Sequence, residues 1–368
     1  MSMDYQNRLN QLRKGFKDNH FSLALISNPS NVFYYTGFNS DPHERFMALA
    51  WNGKTDEFTL FVPALDLEIA NDASIVKTII PVADDEDPFQ VLQGEMGDGI
   101  TAIGLEMKEV SMYRHQQLQT VFPDASYTDI QSEINKQRLK KSRSEIEYLQ
   151  EAVDIIEKVL EEGTKKVKAG MTEAELAAEL EYLMKKFGAV GPSFSTIVLS
   201  GEKAALPHGV PNDRKLQTGD FLLIDFGVKT KNGYCSDITR TFVIGEASEK
   251  QKEIYNFVLE SNQAGIRAVK AGSPLKSFDL AARNVIENSG YGEYFNNRVG
   301  HGLGIDVHEE PSVHSNNEQS AEKGLFFTIE PGIYIPQFGG VRIEDEVYIN
   351  EDGEAEVLTT FPRELQVL

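Results

Sequence analysis

Two aspartates, two glutamates and a histidine stand between positions 225 and 344, each at the end of an apolar run or in a glycine-rich turn. They read Ile224-Asp225-Phe226-Gly227, Ser236-Asp237-Ile238-Thr239, Gly300-His301-Gly302-Leu303-Gly304, Thr328-Ile329-Glu330-Pro331-Gly332 and Arg342-Ile343-Glu344. Four carboxylates brought together raise one another's pKa and cannot all stay ionised without counter-charge. Two divalent cations would supply it. Carboxylate-rich ligation with one imidazole suits Mn2+, or Fe or Co, better than a thiolate-seeking ion. Two such ions about 3.5–4 Å apart lower the pKa of a shared water and make a nucleophile near neutral pH. His208, in Leu206-Pro207-His208-Gly209-Val210, and His308, seven positions after His301, could orient a carbonyl and stabilise an oxyanion.

Taken singly, an Asp or Glu is more often a surface charge or a helix cap, so the weight lies on the set. Asp225-Phe226-Gly227 also matches a kinase motif, but the chain has neither the glycine-rich loop nor the His-Arg-Asp partner of a kinase. In Gly300-His301-Gly302-Leu303-Gly304 the third glycine comes one residue too early for a dinucleotide fingerprint. The glycines around His301 are expected to let backbone approach a substrate closely.

Strands must deliver these residues, and two domains must supply the strands. The chain has 368 residues, too many for one ordinary core. In the first part, Leu9, Leu12 and Phe16 recur at helical spacing over residues 3–20. Residues 21–27, 47–51, 58–62 and 101–105 read as strands, with Asn52-Gly53 as a hairpin-like break. Residues 65–72 and 110–121 read as helices, and Asn28-Pro29-Ser30-Asn31 as a turn or a helix start. This predicts a small α/β domain over 1–132. The charge-dense run 136–147 reads as a solvated linker and first helical turn.

Residues 144–168 then form an amphipathic helix, and Thr172-Glu173-Ala174-Glu175 is a capping box that opens the next. Val167-Lys168-Ala169-Gly170 recurs as Val269-Lys270-Ala271-Gly272, each copy closing a long helix before another begins. The matching helix–helix–strand order predicts an internal duplication over 133–368. The seam would then draw Asp225 and Asp237 from one half, and His301, Glu330 and Glu344 from the other.

The net charge of −21 opposes nucleic acid and anionic membranes as partners. Cys235 is the single cysteine, so no intrachain disulfide forms and a reducing compartment is consistent. The start lacks the basic and apolar regions of a signal peptide. No apolar run approaches the roughly 20 residues that span a bilayer. A cytoplasmic location is the expectation.

With these motifs in order, the chain resembles the proline-specific metallopeptidases, Xaa-Pro dipeptidase (prolidase) and aminopeptidase P. The resemblance runs over the whole chain. It implies an α/β (α+β) architecture: an N-terminal creatinase-like α/β domain, then a pita-bread catalytic domain with pseudo-two-fold duplication. It also implies two divalent ions per subunit, Mn2+ first with Co2+, Fe2+ or Zn2+ as alternatives. Asp225 and Asp237 match the bidentate and bridging aspartates, His301 the sole imidazole ligand, Glu330 the glutamate that also handles the water's proton, and Glu344 the bridging glutamate. His208 and His308 match the substrate-orienting histidines. Tyr234 is a candidate pocket group or ordinary packing.

Arg298 matches a pocket arginine suited to a carboxylate. The segment Ser40–Phe46, with Asp41, His43, Glu44 and Arg45, looks like the mobile active-site loop of bacterial prolidases, which in those homodimers reaches toward the neighbouring subunit. The resemblance implies small proline-containing peptides as substrates, a homodimer, and a metal-bridged hydroxide attacking the Xaa-Pro bond. Aminopeptidase P, acting on longer peptides, is the alternative. A peptide-binding relative without activity is a remote third reading, because all five ligand positions are filled.

Overall fold

The computed structural model describes residues 4–368; residues 1–3, part of the segment read as leaderless, lie outside the described residues. Contacts divide the chain into two compact units, the first ending at Arg138 and the second running from Leu139 to Leu368. The boundary expected at 132 falls inside a helix, Gln131–Leu139, whose Ile134 and Arg138 are buried. Charge density suggested a solvated linker there. Helical periodicity turns one face of that run inward, and the Arg138 guanidinium donates to Asn31 Oδ1 at 2.6 Å.

The first unit is built on one six-stranded mixed sheet. Its spatial order is Thr78–Val82, Glu57–Pro63, Ala48–Asn52, Leu23–Ile26, Ala102–Leu105 and Ser126–Asp129. Strands 23–26 and 48–52, and 48–52 and 57–63, pair antiparallel, and the remaining neighbours pair parallel. Helix Tyr5–Asp18 buries Leu9, Leu12 and Phe16, the face that their spacing predicts. Asn28 caps the helix Pro29–Thr36 with Pro in its first turn, so the ambiguous turn is a helix start. Strand 78–82, helix Pro88–Met96 and strand 126–129 escaped the sequence reading. The two strands are edge strands with little buried surface and so show no apolar alternation.

The second unit repeats one plan twice. Helices Arg143–Thr164 and Glu173–Lys186 pack on a three-stranded antiparallel sheet of Ile197–Ser200, Phe221–Phe226 and Ile238–Val243. Helices Glu249–Ala268 and Lys276–Asn288 share a core with a five-stranded sheet ordered Glu309–Val313, Gly300–Gly302, Phe326–Ile329, Asp345–Ile349 and Ala355–Val357. The recurring tetrapeptides are structurally equivalent. Gly170 and Gly272 have φ of +90° and +88°, a conformation that glycine adopts without strain. Their N–H groups donate to Leu216 and Ala321 carbonyls, both at 2.8 Å. Capping boxes at Ser142 and Thr172 start the first two helices, the second as the sequence predicts.

The strands aim their ends at one place. Asp225 lies near the end of strand 221–226, between Thr239 and Ile197 on the neighbouring strands. Asp237 precedes strand 238–243, and Glu330 follows strand 326–329. Glu344 sits between the hairpin strand Gly339–Arg342 and strand 345–349. The halves are stitched at this level: Thr239 Oγ1 donates to Glu344 Oε2 at 2.8 Å, and Asp237 N–H to Glu346 Oε1 at 2.6 Å.

Candidate metal centre

A cleft of about 450 Å³ in the second unit is lined by Asp225, Asp237, His301, Glu330 and Glu344, and by His208, Arg298 and His308. Asp237, His301 and Glu344 each offer a ligand atom within 4.8 Å of the others. His301 Nε2 lies 3.4 Å from Glu330 Oε1 and 3.8 Å from Asp237 Oδ2. The four residues Asp225, Asp237, His301 and Glu344 are buried, while the rings of His208 and His308 stand at the exposed edge. The His301 and His308 rings are 4.3 Å apart, centroid to centroid.

The electrostatics of the bare pocket are unfavourable. Burial, then the charges of Glu344, Asp225 and Glu330, pushes the Asp237 carboxyl well above its ordinary range. Burial, then Glu330 and Asp225, does the same to Glu344. Burial raises Glu330 to about 7, against the pull of the Arg342 guanidinium. His301 is pushed down to about 3 by burial and by neighbouring His308. It is therefore a neutral imidazole, and with its Nδ1 within 3.2 Å of the Gly302 carbonyl the tautomer that donates there leaves Nε2 a free lone pair.

Whether these residues fit cations can be read from the acceptors. Asp225 Oδ1, Asp237 Oδ1 and Glu344 Oε1 are buried and have no hydrogen-bond partner among the described residues. Buried polar atoms are almost always satisfied, and three orphaned acceptors on residues that line one cleft with a neutral imidazole call for positive charge. Hard-to-borderline divalent ions fit this oxygen-rich donor set with a single nitrogen.

Further residues complete the pocket that the sequence reading did not name. Arg342 pairs with Asp225 Oδ2, and donates to the Tyr334 hydroxyl at 2.8 Å and Thr239 Oγ1 at 3.1 Å. Phe194, Ile197, Pro207 and Val307 supply apolar wall, and Asn297 lies beside Arg298. Arg342 stands two positions before Glu344, and that period-two offset was its only sequence signal. Arg298 donates to Ser312 Oγ at 3.0 Å.

One expectation changes. The glycines around His301 admit neighbouring strands rather than a substrate: a Cβ at Gly300 would strike the Thr328 carbonyl oxygen, and one at Gly302 that of Glu310. Tyr234 is fully buried outside the cleft lining, its hydroxyl donating to Glu145 Oε1 at 2.9 Å, so the packing reading holds. Asp41, His43 and Arg45 lie in the first unit and are not among the lining residues. There Asp41 Oδ1 accepts from His43 N–H at 2.9 Å and Arg45 grips Asp84 at 2.8 and 3.2 Å.

This fold and cleft define a two-unit hydrolase scaffold with a carboxylate-rich metal pocket, and comparison with known proteins agrees. Residues 147–351 match metallopeptidase family M24, and residues 8–140 match the creatinase/prolidase N-terminal domain. The chain belongs to metallopeptidase family M24. It is similar to the prolidase of Pyrococcus horikoshii (36% identity, TM-score 0.91, 98% of this chain and 99% of that one). The Xaa-Pro dipeptidase of Bacillus anthracis is 34% identical with TM-score 0.90, over 99% of this chain and 100% of that one. The X-Pro aminopeptidase of Thermotoga maritima is 35% identical with TM-score 0.87, over 98% and 100%.

Proposed function

We propose that this metallopeptidase hydrolyses the Xaa-Pro bond of dipeptides. The observation that carries the reading is that Asp225, Asp237 and Glu344, each with a buried carboxylate oxygen lacking a partner among the described residues, line one cleft with the neutral His301. Asp225, Asp237, His301, Glu330 and Glu344 would hold two divalent ions, Mn2+ being the expected one. Such ions supply Lewis acidity toward the scissile carbonyl and acidify water at neutral pH.

The chain's own groups do the rest. Glu330, a carboxyl at the cleft surface, receives the proton of the attacking water and passes it to the proline nitrogen. His208 and His308 hold the carbonyl and donate to the oxygen that gains charge. Burial and the Arg298 charge depress His308, so at neutral pH it is an uncharged hydrogen-bonding ring. Arg298 receives the proline carboxylate, the one anionic end a dipeptide places there. Arg342, held by Tyr334 and Thr239, fixes Asp225 in place. The apolar wall of Phe194, Ile197 and Pro207 excludes water around the substrate.

The resemblance supports reading the enzyme as a cytoplasmic homodimer whose loop 40–46, through Asp41, His43 and Arg45, would tune access to a neighbouring subunit's cleft. Light scattering with and without an R45A substitution tests the assembly, and KM tests the loop. The similarity to an X-Pro aminopeptidase favours aminopeptidase P as the second reading. Protein reconstituted with Mn2+ is assayed on an Xaa-Pro dipeptide and an Xaa-Pro-Xaa tripeptide at equal concentration. Turnover confined to the dipeptide is expected, and preference for the tripeptide would overturn the dipeptidase reading and the role given to Arg298.

A further inference from the structure

His208 rides on a segment with no hydrogen-bond ladder of its own: residues 206–213 form neither helix nor strand. Leu206 and Val210, on either side of it, are 53% and 75% exposed. The contacts that hold this segment converge on one side chain, Glu173, at the first position of helix Glu173–Lys186. Glu173 is wholly buried. Its Oε1 accepts from the Ser200 N–H and hydroxyl, both at 2.8 Å. Its Oε2 accepts from the Lys203 ammonium and from Asn212 N–H, the latter at 3.2 Å. Lys203 Nζ reaches on to the Val210 carbonyl at 3.1 Å.

One carboxylate therefore ties the residues before the segment to a residue near its end, and Lys203 carries the tie to its crest. The helix end adds two backbone bonds, Glu173 N–H to the Arg214 carbonyl at 3.1 Å and Ala174 N–H to the Asn212 carbonyl at 3.0 Å. Glu173 is not needed as a cap, because Thr172 and Glu175 already form the capping box of this helix. A negative charge at a helix N-terminus is locally favoured. Leaving it fully buried still requires partners, and every partner found belongs to the frame of the His208 segment.

We infer that Glu173 is a positioning residue for His208, clamping both ends of segment 206–213 so that the imidazole is presented to the cleft across from His308. The inference rests on the peptidase reading of that cleft.

The test is a kinetic cycle on the full-length, metal-loaded enzyme. Glu173→Gln keeps the shape of the side chain and removes the charge that faces Lys203. In the parent it should lower kcat/KM on an Xaa-Pro dipeptide roughly ten- to a hundredfold, as expected for a misplaced catalytic group, with the loss in kcat and the bound metal unchanged. In a His208→Ala background the same change should cost less than about twofold, since groups acting as one unit are not additive. Equal losses in both backgrounds, or an E173Q enzyme within about twofold of the parent, would overturn the inference.

Hydrogen exchange separates this from the peptidase reading. Faster exchange confined to residues 206–213 supports the clamp even if no Xaa-Pro peptide is turned over, which would defeat only the peptidase reading. Faster exchange spread along helix 173–186 would overturn the clamp. Should E173Q fail to fold, Ser200→Ala removes one donor to Glu173, together with an acceptor of Arg214 that keeps its bonds to Asp220, and enters the same cycle, where a smaller loss with the same dependence on His208 is expected and an additive loss overturns the proposal.

Discussion

His301 is held neutral by burial and is left with its Nε2 lone pair facing carboxylate oxygens. Its neighbours Asp237, Glu344 and Glu330 are raised above their ordinary range in the bare pocket, Glu330 to about 7. A cation must displace those protons, so apparent metal affinity should rise with pH. Calorimetry with Co2+ is expected to show at least about tenfold weaker binding at pH 6 than at pH 8, with proton release; a pH-independent affinity would contradict it. The same shifts set the stability of the metal-free protein. Carboxyls raised in the fold contribute stability below the unfolded range near 4.3, and that contribution is lost as pH rises through about 7. The EDTA-treated protein should thus melt lower at pH 8 than at pH 6.

Substitution separates ligands from orienting groups. Asp237→Ala and Glu344→Ala should each remove metal and abolish turnover, whereas His308→Ala should reduce turnover about a hundredfold or more at unchanged metal content. Elemental analysis alongside kinetics distinguishes the two cases: loss of metal from His308→Ala would place that ring among the ligands. The five ligand candidates were legible because each is a polar residue at the end of an apolar run or, for His301, in a glycine-rich turn, unusual positions for such a group without a task. Arg342 was not, because its meaning lies in a partner 117 positions away in sequence.

At the scale of elements, the site depends on how closely strands approach. Gly300 lies on the strand beside 326–329, and a Cβ there would strike the Thr328 carbonyl oxygen. The adjacent bond from Glu330 N–H to the Val299 carbonyl, 2.7 Å, links the strands that carry His301 and Glu330. Gly300→Ala should therefore cost about 1–3 kcal/mol of stability as overpacking and weaken metal binding by moving His301 from Glu330. Thermal melts with metal titration check both; unchanged affinity would mean the strands yield without disturbing the site. The long helices and capping boxes were readable because their signals are local. The edge strands 78–82 and 126–129 were not, since exposed strands carry little apolar alternation.

At the scale of the molecule, metal binding should act on the fold. An ion present at about 100 times its Kd stabilises the state that binds it by about 2.7 kcal/mol. For a unit of this size that corresponds to roughly 5–10 °C in Tm. Calorimetry of the full chain with and without EDTA should show this shift, and a melt indifferent to chelation would argue against a resident cation.

The sequence by itself determined the duplicated helix–helix–strand plan, because Val167–Gly170 and Val269–Gly272 repeat in matching contexts, and it determined which residue types could meet at the seam. Only the tertiary structure decided that oxygens of Asp225, Asp237 and Glu344 are buried without partners, that Arg342 closes on Asp225, and that Glu173 braces the His208 segment. Those contacts join residues far apart in the chain, and burial and partnership are properties of packing that no local pattern encodes.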